Sequence, residues 1–578
     1  MKLKSTIALI LAMLMVFSLV GCGNNEPATP TEGPTNNTDP PSNNNSSIED
    51  LLGGEEISDS VVKETVAWWR GPTDTYTTAD TGLERKLSND TLVFRLSMVI
   101  GCDPNSYLDE HSWCYNVYEP LIQKDWETGE IHPLLATDWG YNDDGTYHIT
   151  LRDDVTFHSG NHMTAKDVLF TFQRVANYSA NKASAAMKAI DFDACVIEND
   201  YNLTIVFAKP APAFEPVLCT GYTSIVDSEF IQEVGPDYDF LSGDAGTGAY
   251  YLVESVTGVS QTFKRFDDWW GGTPYFETVI GKNYVDLTAM NIDYMNGDID
   301  ITMMNNSDSI ARVLSGEITD TIYYNVDKNR MYGLCMATAA DSILSDKNIR
   351  LALAHSIDME EVVYACFGNN YEGSPCTKMY IDGTLYAKDV GEYEYDPELA
   401  VELLAAAGYG PGNPLHLKAV VGDSGVNSIA METIAAYASA VGFDIDVTVT
   451  KATAATEAYN GRSWPSEYDM VLVPINSYNS GDPSDLFAGR IAYGQELGTF
   501  GALQGIDSKE LSDLADASET MDAAEREQIF SEIQDLVHEE AWFIPLFTYS
   551  GGVFVRNYIH NVHLINGYSV YWADLTLE

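Results

Sequence analysis

The side chains best suited to chemistry in this sequence are its histidines, cysteines and carboxylates, and their spacing decides what they can do. His538-Glu539-Glu540-Ala541-Trp542 begins like a zinc-protease helix, in which two His four residues apart bind the metal and the intervening Glu acts as base. The second His is missing, because Trp542 stands in its place. His158 and His162 have the spacing, but Gly160 lies between them and disfavours the helix that would align them. The eight Cys, at 22, 102, 114, 195, 219, 335, 366 and 376, include no C-x₂-C pair, the usual frame of a structural zinc site. Gly422-Asp423-Ser424-Gly425 is no nucleophile elbow, since its second Gly comes one position too early. No Gly-rich loop followed by Lys-Ser or Lys-Thr is present to cradle a phosphate. With 86 acidic residues, neighbouring acids carry no information about a glycosidase dyad. These patterns imply no enzyme, no cofactor and no metal centre; a secreted hydrolase is the remote alternative.

Charge narrows the partners. Against 31 basic residues the 86 acids give a formal charge of −55, which leaves no sizeable basic surface to neutralise nucleic acid or anionic headgroups. The N-terminus carries a targeting signal: Lys2 and Lys4 precede an apolar run from Ile7 to Val20, shorter than the roughly 20 residues of a membrane span. The run ends Leu19-Val20-Gly21-Cys22, which resembles the bacterial lipobox. That resemblance implies cleavage after residue 21 and a lipid on Cys22. Residues 22–50, rich in Pro, Asn and Thr, read as a disordered tether. With Cys22 lipidated, seven Cys remain; Cys366 and Cys376 flank a Gly/Asn/Pro-containing loop and are the pair expected to bridge it.

The rest of the chain, 578 residues in all, is too long for a single core and alternates helix and strand signals, which predicts mixed α/β lobes. Tyr201–Phe207 and Phe443–Val449 alternate apolar and polar positions as strands do. Ser428–Val441 before Gly442, and Ala400, Leu403, Leu404 and Ala407 between Asp396-Pro397 and Gly408, have helical spacing with Gly past the end, and the second also has Pro at its first turn. Ser345-Asp346 caps a run holding Ile349, Leu353, Ile357 and Val362. Asp144-Gly145 and Phe157–Gly160 read as turns. Thr164 with Asp167 three residues on forms a capping box. Residues 51–90, with Trp68 and Trp69, read as an extension packed on the body.

From Val117 onward the order of motifs resembles the family 5 extracellular solute-binding proteins, the class of oligopeptide-, dipeptide- and nickel-binding proteins of ABC importers. Val117-Tyr-Glu-Pro-Leu121, Pro133 to Trp139, Asp144 to Arg152, Val155 to Gly160 and Thr164 to Val168 carry it. Gly246 to Tyr250, Trp269 to Pro274, Asn296 to Asp300, Asn348 to Ala352, Asp396 to Tyr409 and Arg526 to Pro545 continue it. The resemblance implies two α/β lobes of the periplasmic-binding-protein kind, with a hinge between them and an extra domain inserted in lobe I. On that plan lobe I comprises 91–118, 221–325 and 541–578, the extra domain 119–220, and lobe II 326–540. It also implies a monomer that captures a peptide or other polar solute between the lobes. An ABC permease with its ATPase subunits is then the partner, and the membrane is met only through the lipid, on the extracellular face.

In dipeptide- and oligopeptide-binding relatives, a Trp and then an Asp precede an acidic-Pro pair, and that Asp holds the ligand's ammonium. Counting back from Asp482-Pro483 puts Asn479 at the Asp position and Asn476 at the Trp position. Asn can hydrogen-bond but supplies no charge-assisted pair, so uncharged oligosaccharides and blocked peptides stand beside free peptides as ligands. The cleft candidates are Asn476, Ser477, Tyr478 and Asn479, with Asp482 as the alternative ammonium partner. Asp103, just past the apolar strand Thr91–Met98, is the candidate from lobe I, because strand ends in open α/β sheets face the cleft; it could equally cap a turn. His158, Arg152, Trp269 and Trp270 read as packing residues of the scaffold.

Overall fold

The computed structural model describes residues 58–577 except 67–72, 97–102, 106–112, 126–127, 179–182, 236–237, 239, 241–244, 285, 304–306, 368–372, 382–383, 424, 452–466, 477–480, 484–505 and 566–568. Cys22, Trp68 and Trp69 therefore lie outside the described residues.

Two long strands organise the molecule. Thr321–Met336 and Phe543–Arg556 pair antiparallel, and their register shifts between Val326 and Arg330. On one side of the shift they belong to a sheet whose order continues through Ile301–Met303, Thr91–Leu96, Thr278–Asn283, Ser260–Arg265 and Tyr250–Val256. On the other side the order runs through Met470–Asn476, Leu415–Gly422 and Phe443–Thr450. Each half buries both faces. In the first half, Leu92, Phe94, Val553 and Val555 enter one core, while Tyr323 and Phe554 enter another. In the second half, Leu334, Leu417, Ala419 and Leu472 face one core, while Met331, Cys335, Val420 and Val471 face the other. Alternation along each strand produces this division. The result is the two-lobed α/β fold that the motif order implies, with two strands crossing between the lobes.

A further core, with no strand in that sheet, is built around Ala136–Tyr141, Tyr147–Leu151, Asn202–Ile205 and Val196–Asn199. Helix Ala165–Asn177 packs there through Val168, Phe172 and Val175. The helix opens as read: the Thr164 amide donates to Asp167 Oδ2 at 2.8 Å. Gly145, between the first two strands, has φ +82°, which suits the tight turn read from Asp144-Gly145.

Local signals elsewhere also translate directly. Helix Pro397–Ala406 starts with Asp396 Oδ1 accepting from the Leu399 amide at 2.9 Å. Helix Gly425–Val441 leads into Phe443–Thr450 through Gly442, whose φ is +115° and where a Cβ would lie 2.3 Å from the Gly410 carbonyl carbon. Only glycine fits there. The run after Asp346 is two helices, not one. Lys347–His355 ends at Ser356, whose hydroxyl donates back to Leu353 O at 2.7 Å, and Met359–Phe367 holds Val362.

The extension packs by strand addition. Val62–Val66 pairs with Thr73–Thr77, which pairs in turn with Ile322–Tyr324 of the long strand. Asp320 then accepts from the Thr81 and Leu83 amides at 2.8 and 3.2 Å.

The expected Cys366–Cys376 bridge is absent, and both are free thiols. Cys366 packs against the core of Leu334 and Leu417, and Cys376 against the core of Met331 and Cys335. The sheet of the second lobe separates them. Cys114 is disulfide-bonded.

Candidate binding site

Strand direction sets where a ligand can sit. Ile301–Met303 and Thr278–Asn283 run parallel to Thr91–Leu96, and Met303 pairs with Val553 while Val326 pairs with Gly551. The carboxyl ends of the first-lobe strands thus point along the crossing strands toward the register shift. In the second lobe Asn476 pairs with Arg330, and Leu415–Gly422 runs parallel to Met470–Asn476. Its carboxyl ends point at the same shift from the opposite side. Solutes bind beyond the carboxyl ends of strands in open α/β sheets, and here two such edges face one another across the crossing.

The candidates from sequence fall on chain leaving those edges. Asn476 is the last residue of its strand; Ser477, Tyr478 and Asn479 follow it and lie outside the described residues. Asp103 comes seven residues after Leu96, the last described residue of the strand, and the end expected at Met98 lies outside the described residues. Its carboxylate accepts from the Asn105 amide at 3.0 Å as a turn cap and from Arg174 Nη1 at 2.6 Å. Arg174 also donates to Asn105 Oδ1 at 2.8 Å, and the Asn105 amide group donates to the carbonyls of Tyr222 and Ser224 at 3.1 Å. Asp103 thereby fastens the loop after the first strand to helix Ala165–Asn177. Asp482 is buried, and its two oxygens accept from Arg526 Nη1 and Nη2 at 2.7 and 2.8 Å. An ammonium at Asp482 would compete with this guanidinium.

A family model described as bacterial extracellular solute-binding proteins, family 5 Middle, matches residues 130–491, which is more than half of the chain. The chain belongs to this family. Heme-binding protein A of Haemophilus influenzae is 24% identical over 490 residues, spanning 79% of this chain and 87% of that protein. The nickel-binding periplasmic protein of Escherichia coli is 24% identical over 463 residues, spanning 74% and 83%. The fold is shared with DppA of Helicobacter pylori solved in complex with the peptide STSA, at a TM-score of 0.69 and 21% identity, covering 84% of this chain and 98% of that one.

In this solute-binding protein the family motifs do structural work that their spacing hides. Glu119, from the Val117–Leu121 motif, is buried and accepts from the indoles of Trp269 and Trp270 at 3.2 and 3.0 Å. Burial raises its carboxyl to about 7, although the two indoles and the nearby Arg152 pull it down. Arg152 lies 3.6 Å over the Trp270 ring. The tryptophans therefore tie separate motifs together, as packing residues do. His158 belongs with them, its Nε2 lying 2.7 Å from Gly248 O. Among the described residues no group of three or more His, Cys, Asp or Glu is placed to hold a metal ion, and no helix is long and apolar enough to cross a membrane.

Arg526 and Glu119 were missed as organising residues. Both stand inside motifs that carried the resemblance, but their partners lie 44 and about 150 residues away, beyond the reach of any periodicity.

Proposed function

We propose that this protein is the solute-capturing component of an ABC importer, held at the extracellular face of the cell membrane by a lipid on Cys22. The observation that carries the reading is the opposition of the two sets of strand ends across the crossing strands. A solute in that space contacts both lobes only when they close, so binding selects the closed form. The permease then reads closure. No step requires chemistry on the solute.

The ligand class follows from charge. The sequence after Asn476 offers Asn479 where peptide-binding relatives carry an Asp, and the next carboxylate in sequence, Asp482, already accepts from Arg526. This favours polar solutes that need no buried carboxylate partner at that position: N-blocked peptides, or uncharged oligosaccharides as the alternative. Thermal-shift screening of the mature protein against free peptides, their N-acetylated forms, neutral oligosaccharides and nickel tests it. A true ligand at a hundredfold excess over Kd stabilises by about 2.7 kcal/mol, and blocked or neutral solutes are expected to do so. Stabilisation by free peptides alone, lost on acetylation, overturns the ligand class. Conversion of the bound solute overturns the binding role. Mass spectrometry of membrane-extracted protein checks for the acyl group on Cys22.

A further inference from the structure

The carboxylate of Glu519 meets Lys209 Nζ at 2.8 and 2.9 Å, across 310 residues of sequence. The two belong to different cores. Lys209 follows Phe207, whose ring packs 4.9 Å from Phe214 in the domain of helix Ala165–Asn177, and the Ala208 amide donates to Ala189 O at 2.8 Å. Glu519 lies in the turn between helices Lys509–Ala517 and Ala523–Glu539 of the second lobe, which pack on Met331 and Val471. The pair therefore joins the domain of helix Ala165–Asn177 to the second lobe.

The turn that carries Glu519 is tied to Asp482. Arg526 Nε donates to Ser518 O at 3.0 Å, while its two terminal nitrogens hold Asp482. Asp482 comes six residues after Asn476 in sequence, and Gly481 O accepts from the Leu385 amide at 2.7 Å. One buried guanidinium thus connects Asp482 to the turn that carries Glu519.

We infer that Lys209 and Glu519 form a latch on the closed arrangement of the lobes, and that Arg526, held by Asp482, is the positioning residue that keeps the turn bearing Glu519 in register. The inference rests on the capture reading above but is testable without a solute. Both side chains of the latch are about half exposed, 47% and 43%, so the pair is worth at most about a fivefold shift in the closed-to-open ratio and weakens with salt. That size suits a latch that must release its cargo.

The experiment measures the interlobe distance distribution in the ligand-free full chain, with spin labels attached at the exposed Gln173 and Glu527 by a cysteine-independent chemistry. Lys209→Glu and Glu519→Lys each lower the closed-to-open ratio at low salt, by up to about fivefold, and the double reversal restores it. At 0.5 M salt the wild-type ratio falls toward that of the single variants. Arg526→Lys keeps a cation beside Asp482 but loses the fixed geometry to Ser518, so it lowers the ratio as well, and adding Lys209→Glu to it costs little more. Single reversals that leave the distances unchanged, or a double reversal that does not restore them, overturn the latch. Strictly additive effects of Arg526→Lys and Lys209→Glu overturn the role of Arg526. Failure of every tested solute to bind would instead count against the capture reading, because these distances need none.

Discussion

The ring of Tyr323 stacks on that of Phe554 with centroids 4.7 Å apart and planes 16° apart, joining the two crossing strands just inside the first lobe. Tyr76 of the N-terminal extension stacks on its other face at 5.8 Å. Space for Tyr323 is made by Gly552, where a Cβ would lie 2.1 Å from the ring. Gly552→Ala is therefore expected to displace the ring and destabilise the protein by about 1–3 kcal/mol, the usual cost of overpacking. Urea denaturation reads the change, and an unaltered midpoint would mean that the stack is not a structural constraint.

The Asp482–Arg526 pair is buried on both sides, at 1% and 4% side-chain exposure. Removing one partner strands the other charge, so Asp482→Asn is expected to cost about 3–5 kcal/mol in the same assay. A small loss, coupled with loss of binding to free-amine peptides, would instead assign Asp482 to the ligand.

Glu119 sets a pH dependence. Its folded value of about 7 lies above the ordinary 4.5, so as pH rises the unfolded chain loses this proton first. Stability from the site therefore falls between roughly pH 4.5 and 7 and stays low above, by about 3 kcal/mol in total. Glu119→Gln removes that slope. Melting temperatures of both proteins from pH 4.5 to 8 check it; parallel curves would contradict the raised value.

Cysteine chemistry is sharply divided. Cys195, Cys219, Cys335, Cys366 and Cys376 are free, and Cys114 is bonded. Alkylation in denaturant without reductant, followed by peptide mapping, is expected to label the five and spare Cys114. A peptide linking Cys366 to Cys376 would contradict the fold of the second lobe.

Much of this architecture was legible in the residues, because its signals are local. Asp396-Pro397 and Gly408 bracket a helix by capping chemistry, and the alternation in Phe443–Thr450 is the pleat of a half-buried strand. The N-terminal hairpin was not legible. Val62–Val66 and Thr73–Thr77 alternate polar residues with few apolar ones, and their partner strand lies about 240 residues on, as the bond from Thr78 Oγ1 to Thr321 O illustrates. The break at Ser356 was hidden because Ile349, Leu353, Ile357 and Val362 have near-helical spacing on both sides of it. The site divides in the same way. The strand ahead of Asp103 followed from its apolar run, while the strand that ends at Asn476 did not, and the commitment of Asp103 to Arg174 and of Asp482 to Arg526 depends on tertiary pairing that spacing cannot encode.

The central claim, that a solute is captured between two lobes that close on it, is tested most directly by small-angle X-ray scattering of the mature protein, titrated with whichever solute stabilises it in the thermal screen. The radius of gyration is expected to fall saturably, with a midpoint at the Kd read by calorimetry, and the solute is recovered unchanged. Tight binding with no compaction would contradict capture between the lobes.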